Sequence, residues 1–151
     1  MIVFLRPAVA SDAAAIVQIL VDARLAFMPY APSVHTEPEI LDWVRTHLVP
    51  SGGVTVAQHN HELVGFVAVT ANGAFGKIEQ MYVAPLHVGK GIGTQMLFFV
   101  LRSLPLPVRL QTFQESTLAR RFYEARGFRA VEFTDGQKNE EHCPDVLYER
   151  Q

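Results

Sequence analysis

At 151 residues the chain has the size of one domain, and 49% apolar residues are enough for a packed core. Its 13 basic and 15 acidic residues leave a net charge of −2, which argues against a nucleic-acid surface as the main function. The single cysteine, Cys143, excludes an intrachain disulfide and points to a reduced, cytoplasmic setting. Ile2–Leu5 is too short for a signal-peptide core, Arg6-Pro7 ends it, and no later apolar run has the length of a membrane span.

In chain order, Ile2–Arg6 reads as a first strand. Ser11 is a good N-cap, and Ile16, Ile19, Leu20, Ala23 and Phe27 recur at helical spacing until Met28-Pro29-Tyr30-Ala31-Pro32 breaks the pattern. Thr36 and Glu39 form a capping box ahead of a second helix, with Ile40, Trp43, Val44, His47 and Leu48 on one face. Val54–Gln58 and Leu63–Thr70 are strands of a hairpin closed at His59-Asn60-His61-Glu62. A further strand covers Lys77–Val83. A helix from Gly91 carries Met96, Leu97, Val100, Leu101 and Leu104 until Pro105 stops it. Then come a strand at Val108–Phe113 and a helix at about 117–126, with Gly127 in the C′ position. Strands at Phe128–Thr134 and Val146–Arg150 flank an Asp135-Gly136 turn. The order βααβββαβαββ mixes hairpins with helical crossovers. It predicts an α/β (α+β) domain over residues 1–151, with a mixed central sheet flanked by helices.

The most informative stretch is Tyr82-Val83-Ala84-Pro85-Leu86-His87-Val88-Gly89-Lys90-Gly91-Ile92-Gly93-Thr94. A strand ends at proline, three glycines follow at alternate positions, and a helix begins. Unpaired N–H groups and the helix dipole make such an N-terminus an anion site, and glycine lets backbone approach the ligand. Lys90 can add a charge. A P-loop is excluded because Gly91, not Ser or Thr, follows Lys90. A dinucleotide fingerprint is excluded because neither Gly89 nor Gly91 starts a Gly-x-Gly-x-x-Gly run.

The run resembles the acetyl-CoA signature of the GNAT superfamily of N-acetyltransferases, Gln/Arg-x-x-Gly-x-Gly/Ala after a strand and Val-x-Pro. Val88 departs from it, standing where Gln or Arg is usual, which predicts somewhat weaker CoA affinity. Leu118–Phe128 resembles the family's next signature, Asn-x-x-Ala-x-x-Phe-Tyr-x-x-x-Gly-Phe, with Ser116 in place of Asn. The resemblance spans most of the chain and is thinnest over residues 24–50 and 129–145. It implies a mostly antiparallel GNAT-like sheet. It also implies acetyl-CoA as co-substrate, held by the backbone of Val88, Gly89, Lys90, Gly91, Ile92, Gly93 and Thr94 and, beside the motif strand, by Met81, Tyr82 and Val83. Ser116 is a further candidate, for the pantetheine or for capping its helix. Family members often dimerise, so a homodimer is an expected assembly.

Acetyl transfer to an amine needs an anchored thioester, N–H donors for its oxygen, a neutral amine and stabilisation of the leaving thiolate. Tyr123 aligns with the family tyrosine that faces the CoA sulfur, and a phenol with a pKa of about 10 suits a weak acid there. Some relatives use a strand carboxylate as base, and Glu79 is the one carboxylate on the motif strand. Regular alternation places Lys77, Glu79, Met81 and Val83 on one face and Ile78, Gln80 and Tyr82 on the other. Bulk water is the alternative base, and Gln80 is a polar contact candidate.

Arg120 and Arg121 are weaker candidates for CoA phosphates. His59 and His61 lack a partnered ligand set, so no metal is expected, and Cys143 lacks an activating pattern. The resemblance puts acceptor recognition on Arg24, Phe27, Met28, Tyr30, His35 and Trp43, then on Thr134-Asp135-Gly136, Asn139-Glu140-Glu141 and Asp145. The predicted function is acetyl transfer to a primary amine, of a small molecule or a peptide, by direct attack. The alternative is an acyl-CoA-binding sensor or interaction domain with little catalysis. Neither reading calls for a nucleic acid or membrane partner.

Overall fold

A computed structural model describes residues 1–151. Seven strands form one sheet: β1 Phe4–Pro7, β2 Val54–His59, β3 Glu62–Ala71, β4 Gly76–Val83, β5 Val108–Phe113, β6 Arg129–Phe133 and β7 Asp145–Arg150. Four helices accompany them: α1 Ala13–Phe27, α2 Glu37–Trp43, α3 Ile92–Leu101 and α4 Thr117–Glu124. The strand order is β1-β2-β3-β4-β5-β7-β6, antiparallel at every pair except β4–β5. The expected mixed, mostly antiparallel sheet is therefore present.

Local chemistry accounts for the elements. Thr36 accepts from the Glu39 N–H while Glu39 accepts from the Thr36 N–H, closing the capping box that starts α2. The β2–β3 hairpin turns through Asn60 and His61, both in left-handed backbone, as a two-residue type I′ turn requires. The start of α1 differs from expectation. Ser11 lies inside a short 3-10 turn, and Asp12 takes the N-cap position of α1 without capping it by its side chain, which accepts instead from the Val9 N–H at 2.8 Å and from Arg6 at 2.8 and 3.0 Å.

The sheet separates two cores. α1 and α2 pack Ile16, Leu20, Ile40 and Val44 against Val56, Phe66 and Ala68 on one face. α3 and α4 pack Met96, Leu97, Val100 and Tyr123 against Val64, Val67, Leu110 and Tyr148 on the other. After Trp43 the second helix widens into a π turn over Val44–Leu48. Only Ile40, Val44 and Leu48 of its expected face are buried; Trp43 is 40% exposed and His47 is exposed too. The change of helical period turns His47 out of the core, and both side chains line the surface pockets described next.

Candidate active site

The site begins where the sheet fails to close. β4 and β5 pair in parallel over three residues only, Gly76↔Val108 to Ile78↔Leu110, although β4 continues to Val83 and β5 to Phe113. Beyond Ile78 the edge of β4 facing β5 has no strand partner. A groove of about 320 Å³ occupies the gap, walled by Met81, Tyr82 and Val83 on one side and by residues 115–119, Phe122 and Tyr123 on the other. Val88 and Gly93 close its end.

There the groove meets the glycine turn. Gly89 and Gly91 have φ of +83° and +82°, left-handed backbone that favours glycine, and α3 begins directly after Gly91. No N–H from Gly89 to Thr94 bonds to the carbonyl four residues earlier; that ladder starts at Gln95. Six consecutive donors are thus left at a helix N-terminus. Gln95 fixes the turn to the start of the chain, donating to the Gly91 and Met1 carbonyls and accepting from the Val3 N–H. The adjoining pocket of about 300 Å³ is lined by His87, Val88, Gly89, Gly91, Gly93, Thr94, Phe122 and Arg126. The buried Ile92 side chain packs into the core, so its contribution here is backbone. Lys90 is exposed and does not line the pocket; the cation that does is Arg126.

Tyr123 projects from α4 into the groove opposite Met81, 8% exposed and edge-on to Phe122 and Phe128. Its hydroxyl makes no hydrogen bond within the chain, and burial, with Tyr82 adding, pushes its pKa well above the ordinary phenol value.

Tyr82 also walls a second cavity, of about 410 Å³, on the α1–α2 face of the sheet. Arg24, His35, Glu39, Trp43 and Gln80 line it together with Glu140 and Glu141 from the β6–β7 connection. Arg24 donates to Glu141 at 3.1 Å and to the Ala31 carbonyl at 2.9 Å. Its burial lowers the guanidinium pKa, but Tyr82 and Glu141 outweigh that and leave it raised. The Oε1 of Gln80 is buried without a partner. His35 meets Glu140 at 3.1 Å across the mouth.

The expected alternation along β4 breaks at Glu79. Ala68 pairs with Gln80 but Val69 pairs with Ile78, so Glu79 is the extra residue of a β-bulge. Ile78, Met81 and Val83 consequently share the α3–α4 face, and Gln80 and Tyr82 the other. Glu79 is not on the Met81 face. It sits on the rim beside His47 and Trp43, accepts from Thr70 at 2.8 Å and pairs with Lys77 at 3.5 Å. The structure brings Tyr123, Met81, Tyr82, Val83, Val88, Gly93 and Ser116 to one groove and leaves Glu79 outside both cavities.

Other expectations sort similarly. Ser116 does not cap α4; its hydroxyl hydrogen-bonds that of Tyr30, which stacks edge-on to Phe113. Arg120 does not line the pocket at the glycine turn and is bonded to the Tyr148 hydroxyl and the Gln114 carbonyl, and Arg121 is exposed without a side-chain partner. Phe27 and Met28 line the groove rather than the second cavity, while Thr134 and Asn139 hydrogen-bond Asp145 inside the β6–β7 connection. The Cys143 thiol donates weakly to the Tyr30 and Glu141 carbonyls, at 3.6 and 3.5 Å. No three His, Cys, Asp or Glu side chains converge, and no helix is long and apolar enough to cross a membrane.

A splayed mixed sheet thus carries unpaired backbone N–H donors at the glycine turn and a buried phenol in the adjoining groove. The chain belongs to the acetyltransferase (GNAT) family, whose model matches residues 16–128. It is 34% identical over 77 residues to the peptidyl-lysine N-acetyltransferase YiaC of Escherichia coli K12. That match covers 51% of this chain and spans only 50% of the relative's length. Its fold is similar to that of the PaiA N-acetyltransferase of Thermoplasma acidophilum, solved in complex with coenzyme A, with a TM-score of 0.76 at 18% identity over 100% of this chain and 99% of that one. An acetyltransferase from Thermus thermophilus gives 0.78 at 18% identity over 99% and 97%.

Proposed function

We propose that the protein is an acetyl-CoA-dependent N-acetyltransferase that moves acetyl to a primary amine by direct attack in a ternary complex. One observation carries this: Tyr82 walls both the groove and the second cavity, so donor and acceptor sites meet across a single strand. The glycine turn binds the donor's phosphates, and the unpaired edge of β4 runs along its pantetheine arm to Tyr123. The amine enters from the cavity on the other face. The ammonium loses one proton to water, the neutral nitrogen forms the C–N bond as the C–S bond breaks, and a second nitrogen proton then passes to water; the leaving thiolate accepts a hydrogen bond from the Tyr123 hydroxyl and takes its proton from water.

Tyr123 acts here as a hydrogen-bond donor. A thiol titrates near 8.5 and an ordinary phenol near 10, so complete transfer from a phenol raised further still is uphill. Glu79, tied to Thr70 and Lys77 on the rim, is not the base in this reading. Glu39, Glu140 and Glu141 against Arg24 give the cavity a surplus of negative charge, which favours a cationic amine. Its volume takes a small amine or a lysine side chain, the second in keeping with the name of the YiaC relative.

Calorimetric titration with acetyl-CoA, with adenosine diphosphate for comparison, tests the donor site. Saturable binding stronger than to the diphosphate supports it, and no binding at millimolar ligand ends the transferase reading. The second reading, a CoA sensor with little turnover, is favoured by the position of Glu79, the expected base, outside the groove. Turnover with any amine in a screen of small amines and lysine peptides excludes it.

A further inference from the structure

Val88 leaves the phosphate pocket without the polar side chain that the signature carries at that position, yet the pocket does not lack one. Arg126 reaches it from the far side, just past the end of α4. Its Nε and Nη2 donate to the Thr94 hydroxyl at 3.2 and 2.8 Å, its Nη1 donates to the Phe122 carbonyl at 2.9 Å, and its guanidinium lies 3.9 Å over the Phe122 ring. Three of its five N–H donors are thereby used and two are free. No carboxylate pairs with it. A planar cation held on one face by an aromatic ring and on one edge by a hydroxyl is fixed in direction before any ligand arrives. In the same wall the Nδ1 of His87 is buried without a partner.

We propose that Arg126 is a ligand of the donor's pyrophosphate, replacing from α4 the contact that Val88 cannot make from the glycine turn. This rests on the transferase reading above. It reverses the expectation of weak donor affinity drawn from Val88. The aromatic at position 122 takes part: by backing the guanidinium it couples α4 to the N-terminus of α3, where a Cβ on Gly93 would lie 3.4 Å from the same ring.

The test compares the wild type with Arg126→Gln and Arg126→Lys in titrations with acetyl-CoA, 3′-dephospho-acetyl-CoA and acetyl-pantetheine. Amide chemical shifts follow the weak ligands, and thermal unfolding confirms that each variant is folded. A hydrogen bond to a charged group supports a loss of about 10- to 100-fold in acetyl-CoA affinity for Arg126→Gln. The loss for the 3′-dephospho form should be equal, acetyl-pantetheine binding should not change, and Arg126→Lys should recover part of the affinity. Equal weakening of acetyl-pantetheine marks a structural role and overturns the assignment. So does a loss seen only with acetyl-CoA, which moves the contact to the 3′-phosphate. If the wild type binds acetyl-CoA and Arg126→Gln binds it equally well, Arg126 is not a ligand and the transferase reading stands. If the wild type binds none, that reading fails as well.

Discussion

Tyr123 and Glu79, the two titratable groups expected at the reacting centre, have different surroundings, and the effects of removing them differ accordingly. Tyr123 is buried with a free hydroxyl. Tyr123→Phe removes one hydrogen bond to a developing charge, so kcat should fall by about 10- to 100-fold while the KM for acetyl-CoA stays within about twofold. Because burial raises its pKa, Tyr123 keeps its proton at every pH below about 10, and the rate profile should show no alkaline limb from this group before that point. A wild-type limb near pH 8 that Tyr123→Phe abolishes would contradict this. Glu79 is held by Thr70 and Lys77 on the rim. Removing a positioned base costs about 10²- to 10⁴-fold, and Glu79→Gln should lower kcat/KM by less than about tenfold.

The strands and helices are largely legible in the residues themselves. Runs such as Val54–His59 and Val108–Phe113, the capping box at Thr36 and the stop at Gly127 each combine pattern with punctuation, and all fall within a residue or two of the expected bounds. Four features are not, for identifiable reasons. Alternation puts Glu79 on the wrong face because it assumes an unbroken pleat, and a bulge is set by the partner strand β3. His47 leaves its expected face because a π turn changes the helical period after Trp43, while Trp43 itself lies at the edge of the α-helical face and is half-exposed. Arg126 matches no letter of either signature and stands in the sequence only as the residue before the helix-ending Gly127. Its four-residue spacing from Phe122, which stacks a cation on a ring along a helix, is the available signal. At the start of α1 the cap falls to Asp12 rather than Ser11. Hydrogen bonding by Arg6 lowers the Asp12 pKa, so its stabilisation is present above the ordinary carboxylate value of about 3.9 and fades as pH falls through the depressed one. Asp12→Asn should cost about 1.5–3 kcal/mol at pH 7 and progressively less in acid, as denaturant melts across pH would show.

On the scale of the molecule, the proposed donor groove and the proposed acceptor cavity share Tyr82 of one strand. Such an arrangement needs both substrates bound together. Initial-rate lines should therefore intersect, and no acetyl group should appear on Cys143 by mass spectrometry during turnover. Cys143→Ala should keep at least about half of kcat, because the thiol contacts only backbone carbonyls. An acetylated Cys143, or parallel lines, would replace direct attack with a relay. The sheet itself is two half-sheets, β1–β4 and β5–β7, joined along their backbones by only three residue pairs. A donor lying in the gap would act as an eighth strand, its pantetheine amides closing a seam the polypeptide leaves open. Cofactor loading should then be a mechanical event as well as a chemical one. At 100 times its dissociation constant the donor adds about 2.7 kcal/mol of stability. Amide hydrogen exchange should slow most where the half-sheets part, at Met81–Val83, leaving the β2–β3 hairpin unchanged.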